Sequence, residues 1–418
     1  MLFSRGVRFR AHNPYEILAM TNIAATRPEK QSVAPKIIAF YLPQFHPIEE
    51  NDGWWGPGFT EWRNVAQARP LFRGHLQPRL PGELGFYDLR LAQTRADQAA
   101  LAKQYGVHGF CYWHYWFGGK RLLQTPVEQI LKTKEPDLPF CLGWANESWT
   151  GVWHGSPHKT LIEQCYPDQD PGRHYEVLRR FFHDKRYITH EGKPLLYVYR
   201  PREIPQRQRY LQILRQLACA DGFAGLYIVG QWSPNPGGRF DSTLELGLDA
   251  AAICNITGRD SLAASQGLRS ALEKGMAVMG GPAGPRRVSY SSAIEPMLPD
   301  LRRFGFPAHN VVISNFDNTP RSGRRGLVLT GSSPALFKSA LDLAFSNLAA
   351  RPMAEVTGDV IFLKSWNEWA EGNFVEPDQL NGRRYLETIA RVYSSHGWTV
   401  NAAAPRMSPL TLFCGASR

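Results

Sequence analysis

The apolar residues of this chain fall into short runs separated by longer amphipathic stretches. Short apolar runs bounded by Gly, Pro or polar residues are typical of buried β-strands. Eight such runs predict strands at 37–41, 107–113, 139–144, 195–199, 226–230, 250–253, 311–314 and 360–363.

Helical periodicity occupies much of the chain between these strands. It predicts helices at 91–105, 126–132, 174–183, 205–220, 334–350 and 385–394. Eight strands alternating with helices favour an α/β fold, a single-domain (β/α)8 TIM barrel with long βα loops, because the 418 residues exceed the ~250 typical of that fold. A doubly wound open sheet is the alternative, and it is disfavoured because no Gly-rich phosphate loop opens a helix.

The pattern also predicts where the domain begins and ends. We expect an irregular N-terminal extension at 1–35, one catalytic domain at 36–395 and an irregular C-terminal tail at 396–418. The first long loop, 49–62, is dense in Gly, Trp and acids, which is more typical of a binding loop than of a connector.

Composition and charge narrow the partners. Hydrophobic residues at 43% and charged residues at 20% are typical of a globular protein. The net charge of +11 favours an anionic partner such as an acidic or lipid-linked glycan, or a membrane surface. No nucleic-acid motif accompanies the dispersed basic residues. No apolar run is long enough to cross a bilayer and no signal-peptide core is evident, so the expected location is cytoplasmic or membrane-peripheral.

Two carboxylates follow the last predicted strand. Glu368 and Glu371 lie between Trp366 and Trp369 in the segment Ser365 to Pro377. A carboxyl group against an indole is poorly solvated, so its pKa rises while a better hydrated neighbour stays ionised. Glycosidic bond chemistry needs such a pair. The alternative is that Glu368 caps a turn, Glu371 is solvated and both tryptophans fill the core.

Polar and aromatic residues collect after the other strands as well. In a (β/α)8 barrel the C-terminal strand ends share one rim, where active sites form. Indole faces suit the apolar side of a sugar ring, and we expect several tryptophans to line the cleft. For Asp317 an Asx-type turn, and for His46 and His114 a structural role, remain alternatives. The predicted substrate-binding residues are Tyr41, His46, Trp113, His114, Trp144, Asn146, Trp232, Asp317, Trp366, Asn367 and Trp369.

No cofactor and no metal site are predicted. The histidines and acids show no His-Glu-x-x-His motif, and the six cysteines show no paired spacing. A Ca²⁺ ion held by loop carboxylates is left open.

Four motifs together carry a resemblance to a known family. They are Phe40 to His46, Trp55 to Trp62, Gly143 to Trp149 and Trp366 to Gly372. In combination they resemble the WbsX-type family, described as bacterial glycosyltransferases and related to glycoside hydrolase family 99, over roughly residues 36 to 395. Family 99 comprises retaining endo-acting mannosidases and mannanases on a (β/α)8 barrel.

The resemblance implies roles for the two acids. Glu368 would act as a base on the sugar 2-hydroxyl, which attacks C1 to form a 1,2-anhydro intermediate. Glu371 would protonate the leaving oxygen and later activate water. A second assignment stays open, with Glu147 as acid/base and Glu368 as nucleophile, because Asn146-Glu147 stands at the end of a barrel strand, and many retaining glycosidases keep their acid/base on an Asn-Glu pair in such a position.

Three functions therefore compete. The first is a retaining glycoside hydrolase that acts on a bacterial oligosaccharide or polysaccharide. The second is a glycosyltransferase of O-antigen or surface-polysaccharide synthesis, for which only Asp168-Gln169-Asp170 has an Asp-x-Asp spacing, in a Pro-rich loop that favours a turn. The third is a non-catalytic glycan-binding barrel, which the presence of both Glu368 and Glu371 disfavours.

Overall fold

A computed structural model describes most of the chain. The described residues are 34–151, 156–232, 243, 245–256, 284–350 and 360–400, with side chains described from residue 160 in the second range. The predicted irregular ends, 1–35 and 396–418, lie almost entirely outside these residues.

Eight parallel strands close into a barrel. Strand β1 pairs with β2 on one side and with β8 on the other, so the sheet has no free edge among these eight strands. The remaining neighbours follow in chain order, and all eight predicted strands are confirmed. They are β1 Lys36–Tyr41, β2 Val107–Phe117, β3 Phe140–Trp144, β4 Lys193–Val198, β5 Tyr227–Trp232, β6 Ala250–Ile253, β7 Ala308–Ile313 and β8 Val360–Lys364.

Helices follow the strands and complete the (β/α)8 architecture, which confirms the predicted fold class. All six predicted helices are present with bounds shifted by a few residues. The largest shift is at α5, which begins at Asp170 because Pro171 suits the first turn of a helix. The described helices are α1 Glu49–Trp55, α2 Glu61–Gln67, α3 Ala92–Tyr105, α4 Thr125–Thr133, α5 Asp170–Phe182, α6 Arg207–Ala220, α7 Tyr290–Met297, α8 Thr319–Ser322, α9 Pro334–Ala349 and α10 Arg384–Ser395.

The barrel interior is filled by aromatic side chains. Phe40 of β1 stacks on Trp113 with ring centroids 4.9 Å apart and on Phe362 at 5.6 Å, and the edge of Tyr197 meets it at 4.7 Å. These rings come from four different strands and make a packed core rather than a pore. The interior therefore forms a rigid base below the C-terminal rim.

Several short strands lie outside the eight strands of the barrel. Trp149–Gly151 pairs antiparallel with Ser156–Ile162, and Asn367–Glu368 pairs with Asn373–Phe374. The second pair is a hairpin whose tip holds a 3-10 turn, Trp369–Glu371. Further short strands are Lys120–Leu122, Thr189–His190, Arg286–Ser289 and Leu327–Thr330, and further 3-10 turns are Pro201–Glu203, Leu301–Arg303 and Gly323–Arg325.

Candidate active site

A cavity of about 290 Å³ opens beyond the C-terminal ends of the strands. All three predicted catalytic glutamates line it, although Glu147 and the pair Glu368 and Glu371 are far apart in the sequence. The lining residues are Leu42, Gln44, Trp55, Trp113, Tyr115, Ala145, Glu147, Ser148, Trp149, Thr150, Leu161, Tyr199, Arg321, Lys364, Glu368 and Glu371.

The hairpin that carries Glu368 and Glu371 is tied to the end of β1. Asn367 accepts from the Leu42 backbone N–H at 2.8 Å and donates to the Leu42 carbonyl at 3.0 Å. At the other end Gly372 has φ +64°, and a Cβ there would meet Asp317 at 3.0 Å. Glycine is required at this position because the backbone is left-handed and the Asp317 backbone is close.

One arginine joins the two acids. Arg321, on α8, donates from Nη1 to Glu371 at 2.8 Å and from Nη2 to Glu368 at 3.1 Å. Its Nε donates to Glu61 at 3.2 Å, so three carboxylates share one guanidinium. Lys364, the last residue of β8, adds a second cation and lies 3.3 Å from Glu371.

The surroundings separate the proton affinities of the two acids. Burial raises the pKa of Glu368, Arg321 opposes that rise, and the negative charge of Glu371 adds to it, so the pKa reaches about 7. Burial acts on Glu371 too, but Lys364 and Arg321, with a hydrogen bond from Asn373, outweigh it and lower the pKa to about 2. The two acids interact and titrate as a pair, which holds one proton between these values, and the opposite directions of the two shifts favour Glu368 as its carrier.

Glu147 lies elsewhere on the cavity wall and is half-exposed. Its carboxylate accepts from Arg200 Nη2 at 2.8 Å and from Arg200 Nε at 3.1 Å. Burial raises the pKa of Glu147, and the Arg200 charge opposes that rise. Asn146 supports this ion pair because its Oδ1 accepts from the Arg200 backbone N–H at 2.7 Å.

Aromatic residues form much of the cavity wall. Trp113, one of the predicted substrate-binding residues, lines it together with Trp55 and Trp149. Tyr115 and Tyr199 complete the apolar surface. Flat rings beside paired carboxylates are the surface on which a sugar ring stacks.

The hairpin residues next to the acids lie in the packed scaffold instead. Trp366 and Trp369 are buried and do not line the cavity. The two indoles that flank Glu368 in the sequence are therefore not part of the cavity wall. Trp369 stacks on Phe374 and donates to the buried Glu376 at 2.7 Å. The Asn367 side chain is occupied by its two bonds to Leu42 and by a third, which it donates to the Tyr87 hydroxyl at 3.3 Å. These three predicted substrate contacts are therefore corrected to structural roles.

Three more predicted contacts are buried between the barrel and its surrounding helices. Tyr41 donates to Gln98 at 2.6 Å, and Trp144 donates to the Trp116 carbonyl at 3.3 Å. His114 lies 3.1 Å from His174, with their rings stacked. With Asn146, which acts on the Arg200 backbone, these residues support the rim but do not line the cavity.

Asp317 forms the Asx-type turn that was the alternative for it. Its Oδ1 accepts from the Thr319 backbone N–H at 3.1 Å and from the Thr319 hydroxyl at 2.6 Å. Its Oδ2 lies 2.7 Å from both His75 and Gln77. This turn leads directly into α8, so Asp317 fixes the start of the helix that carries Arg321.

His46 and Trp232 are also buried and outside the cavity lining. The Arg202 guanidinium lies over the Trp232 ring, and its central carbon is 4.9 Å from the ring centroid. Burial lowers the pKa of His46, which is the behaviour of a histidine enclosed in the scaffold. Both predicted substrate contacts are corrected to packing roles.

Sequence reasoning missed the cations of the site. Arg321 was visible only as the first member of the basic group Arg321 to Arg325, and Lys364 as the end of an apolar strand. Glu61 lies within the Trp55 to Trp62 motif, where only the aromatic residues suggested a binding role. Their sequence positions do not show that Arg321, Lys364 and Glu61 meet, because three separate βα segments bring them together.

The described residues show neither a metal-binding cluster nor a membrane-spanning helix. Within the described ranges, no three His, Cys, Asp or Glu side chains cluster as they would around a metal ion. No described helix combines the length and apolar character needed to cross a bilayer.

The fold defines a (β/α)8-barrel protein, and it is similar to barrels among the solved structures of glycoside hydrolases. A structure titled "Glycoside hydrolase-like protein" matches 86% of this chain and 94% of its own at 14% identity, with a TM-score of 0.52. The family 99 endo-alpha-mannosidase of Bacteroides thetaiotaomicron matches 87% and 98% at 12% identity, with a TM-score of 0.54. At these identities the likeness is one of fold.

The sequence identifies the family. The model described as "Glycosyltransferase WbsX" matches residues 37–389, and the chain belongs to this WbsX family. The protein WxcX of Xanthomonas campestris pv. campestris is 35% identical over 363 residues, which are 85% of this chain and 49% of WxcX. This chain therefore spans about half the length of the curated relatives it matches.

Proposed function

We propose that this protein is a carbohydrate-active enzyme, a retaining glycoside hydrolase that cleaves a bacterial oligosaccharide or polysaccharide. The observation that carries the proposal is the pair Glu368 and Glu371, held by one arginine at the wall of an aromatic cavity with one proton between them. A pair of carboxyl groups holding one proton supplies an acid and a base at neutral pH.

The two acids would divide the reaction as the family 99 resemblance implies. Glu368 takes the proton of the sugar 2-hydroxyl, whose oxygen attacks C1 to give the 1,2-anhydro sugar, and Glu371 protonates the leaving oxygen. Water then opens the anhydro ring, with Glu371 accepting its proton and Glu368 returning a proton to the 2-hydroxyl oxygen. Atoms balance because the sugar supplies its own nucleophile and water is the only co-substrate.

This assignment requires the proton to pass from Glu368 to Glu371 when substrate binds. In the free protein, Lys364 and Arg321 keep Glu371 ionised. A 2-hydroxyl that donates a hydrogen bond to Glu368 stabilises its carboxylate and favours the transfer. The second assignment, with Glu147 as acid/base and Glu368 as nucleophile, has support in that Glu147 also lines the cavity, although Arg200 holds it in an ion pair.

A glycosyltransferase is the second candidate, and the description of the WbsX family favours it. A nucleotide-sugar donor would need cations for its diphosphate. Arg321 and Lys364, which line the cavity, are bound to its own acids. Asp170, of the Asp-x-Asp spacing, begins α5 and accepts from Trp116 at 2.9 Å and Tyr210 at 2.6 Å, which is a structural role. These contacts support hydrolysis over transfer.

Both the charge of the chain and the lining of the cavity support the proposed substrate class. The net charge of +11 supports an acidic or lipid-linked glycan as the preferred substrate. The aromatic wall supports stacking of at least one sugar ring next to the acids.

The test is product release from a panel of bacterial glycans by the purified chain, with and without nucleotide-sugar donors. We expect new reducing ends without a donor, and a loss of roughly 10²–10⁴-fold in Glu368→Gln and Glu371→Gln. Glu83→Gln is the control, because Glu83 pairs with Arg383 away from the cavity.

Other outcomes would change the conclusion. Dependence on a nucleotide donor would establish the transferase. Glycan binding that survives Glu368→Gln, with no turnover in any form, would establish a glycan-binding barrel. Activity of Glu371→Gln on an aryl glycoside, whose leaving group needs no acid, identifies Glu371 as the acid, and the same result for Glu147→Gln would favour the second assignment.

A further inference from the structure

A third carboxylate lies behind the candidate pair. The Glu61 side chain is fully buried, with 0% of its surface exposed, and it does not line the cavity. Its Oε2 accepts from Nε of Arg321 at 3.2 Å, while the two terminal nitrogens of Arg321 face Glu371 and Glu368. Every nitrogen of the guanidinium therefore has its own carboxylate.

The element that carries Glu61 is built into the site. Helix α2 packs against both the Trp369–Glu371 turn and α8. The backbone N–H of Glu61 donates at 3.1 Å to the carbonyl of Gln44, a residue of the cavity wall. Glu61 thus has a fixed position relative to the acids and to the helix that carries Arg321.

A carboxylate in this position is costly to bury. Removing a carboxylate from water costs several kcal/mol, which an ion pair offsets only with good geometry. If the role were only to neutralise Arg321, Glu368 and Glu371 would already suffice. What Glu61 adds is a contact on the Nε edge, which prevents the guanidinium from turning to give one cavity acid both terminal nitrogens.

We propose that Glu61 is a positioning residue that fixes Arg321 so that each terminal nitrogen holds one cavity acid, and so determines which acid keeps the proton. This inference rests on the proposed function, in which Glu368 and Glu371 share one proton. Glu61 does not touch the substrate, and it acts through Arg321 and through its own charge.

The charges around the pair give the expected direction. Glu368 faces Arg321, Glu371, Lys364 and Glu61, with Tyr115 beside it. The two cations favour its carboxylate, whereas the two acids favour its proton. Replacing Glu61 by glutamine removes one negative charge and leaves more of the Arg321 charge to Glu368, so its proton should be released at lower pH.

The experiment is a carboxyl titration that needs no substrate. We would label the glutamate side chains with ¹³C, assign the Glu368 signal by its loss in Glu368→Gln, and compare the wild type with Glu61→Gln. The upper titration midpoint should fall by about one pH unit or more, the scale of one neighbouring charge. Glu61→Asp keeps the charge and should restore most of the midpoint.

Asp184→Asn is the matched control. It breaks another buried ion pair, in which Asp184 lies 2.8 Å from Arg186, remote from the cavity lining. We expect both Glu61→Gln and Asp184→Asn to lower the free energy of unfolding, and only Glu61→Gln to move the titration. An unchanged midpoint in folded Glu61→Gln would overturn the inference.

The two proposals fail in different ways. If the wild type releases no product from any glycan but the midpoint falls in Glu61→Gln, the positioning role stands and the hydrolase proposal does not. If product is released and its upper pH limb is the same in Glu61→Gln as in the wild type, the hydrolase stands and the positioning role is wrong.

Discussion

At the scale of single residues, the site depends on how five ionisable side chains share a small volume. Glu368 and Glu371 are both glutamates of one hairpin, so their pKa values differ because of their neighbours. Glu371 has a close lysine and one bond from Arg321, whereas Glu368 has only its Arg321 bond and deeper burial. Sequence reasoning predicted two acids with separate proton affinities, but it attributed the difference to Trp366 and Trp369 rather than to Lys364 and Arg321.

The pair predicts the pH dependence of turnover. The active form needs one proton shared by Glu368 and Glu371, and that proton is lost as the pH rises through the upper pKa of about 7. Turnover should therefore decline with increasing pH above about 7, whichever acid carries the proton in the complex. The measurement is kcat/KM as a function of pH, determined from the rate at which product is released from a glycan.

Lys364→Met is expected to shift the decline of turnover at high pH, which is the upper limb of the pH profile. Lys364 lowers the pKa of both acids, so its removal should raise the upper midpoint and extend turnover to higher pH. A limb at the same pH in Lys364→Met would contradict the assignment of this limb to the pair. The shift is opposite in sign to the one expected for Glu61→Gln.

At the scale of elements, the acids are held in place where the first and last strands of the barrel, β1 and β8, lie side by side. Strand β8 leads into the hairpin, and the hairpin is bonded back to the exit of β1 through Asn367 and Trp366. The Trp366 backbone N–H donates to the Phe40 carbonyl at 2.7 Å. The order of the strands could be predicted from the alternating pattern. In a closed barrel of eight parallel strands, consecutive strands pair in chain order, so β1 and β8 are the one neighbouring pair that is far apart in the sequence.

Asn367→Ala should therefore lose both stability and turnover. The change leaves the Leu42 N–H and carbonyl without partners in a buried place, which costs roughly 1–3 kcal/mol for each group. Urea unfolding gives the stability, and product release gives the turnover. The turnover loss follows because the hairpin that presents Glu368 loses its side-chain attachment to the end of β1 and keeps only the backbone bond of Trp366.

A matched asparagine separates the two effects. Asn347, on α9, is also buried and donates to the backbone carbonyls of Leu298 and Pro299, away from the cavity lining. Asn347→Ala should be destabilised by a similar amount but keep its kcat/KM at a temperature where it is folded. Equal losses of turnover in both variants would mean that Asn367 has no specific role at the site.

At the scale of the whole molecule, a second buried acid links the scaffold to pH. Glu376 accepts hydrogen bonds from Trp369, Tyr87 and Gln98 beneath the hairpin. Burial raises its pKa to about 7 in spite of these bonds. An acid whose folded-state pKa is raised contributes stability that is complete below its ordinary value and is lost as the pH rises through the folded value.

Glu376→Gln isolates this contribution. Between about pH 5 and pH 8, the free energy of unfolding of the wild type should fall relative to that of the variant. The slope is about 1.4 kcal/mol per pH unit between the two pKa values, or roughly 3 kcal/mol in total. Comparing the two proteins in urea at several pH values cancels the opposing titrations of the buried histidines.

The surface variant Glu387→Gln, on α10, serves as the control and should follow the wild type across the pH range. A difference between wild type and Glu376→Gln that does not change with pH would show that Glu376 is protonated, or ionised, throughout this range.

The amino-acid sequence by itself determined the barrel, its eight strands and the place of the acids at a strand end. These depend on periodicity and on residue type, which are local properties, and the motifs around Glu147 and Glu368 add the family. Only the tertiary structure decided which polar residues face the cavity. Tyr41, Trp144 and Trp369 are residue types that sugar sites use, but here they pack into the scaffold, because a side chain's direction depends on the local backbone of its strand or turn and on its neighbours. The meeting of Glu61, Arg321 and Lys364 likewise depends on closure of the barrel, since no spacing along the chain relates three charges from separate βα segments.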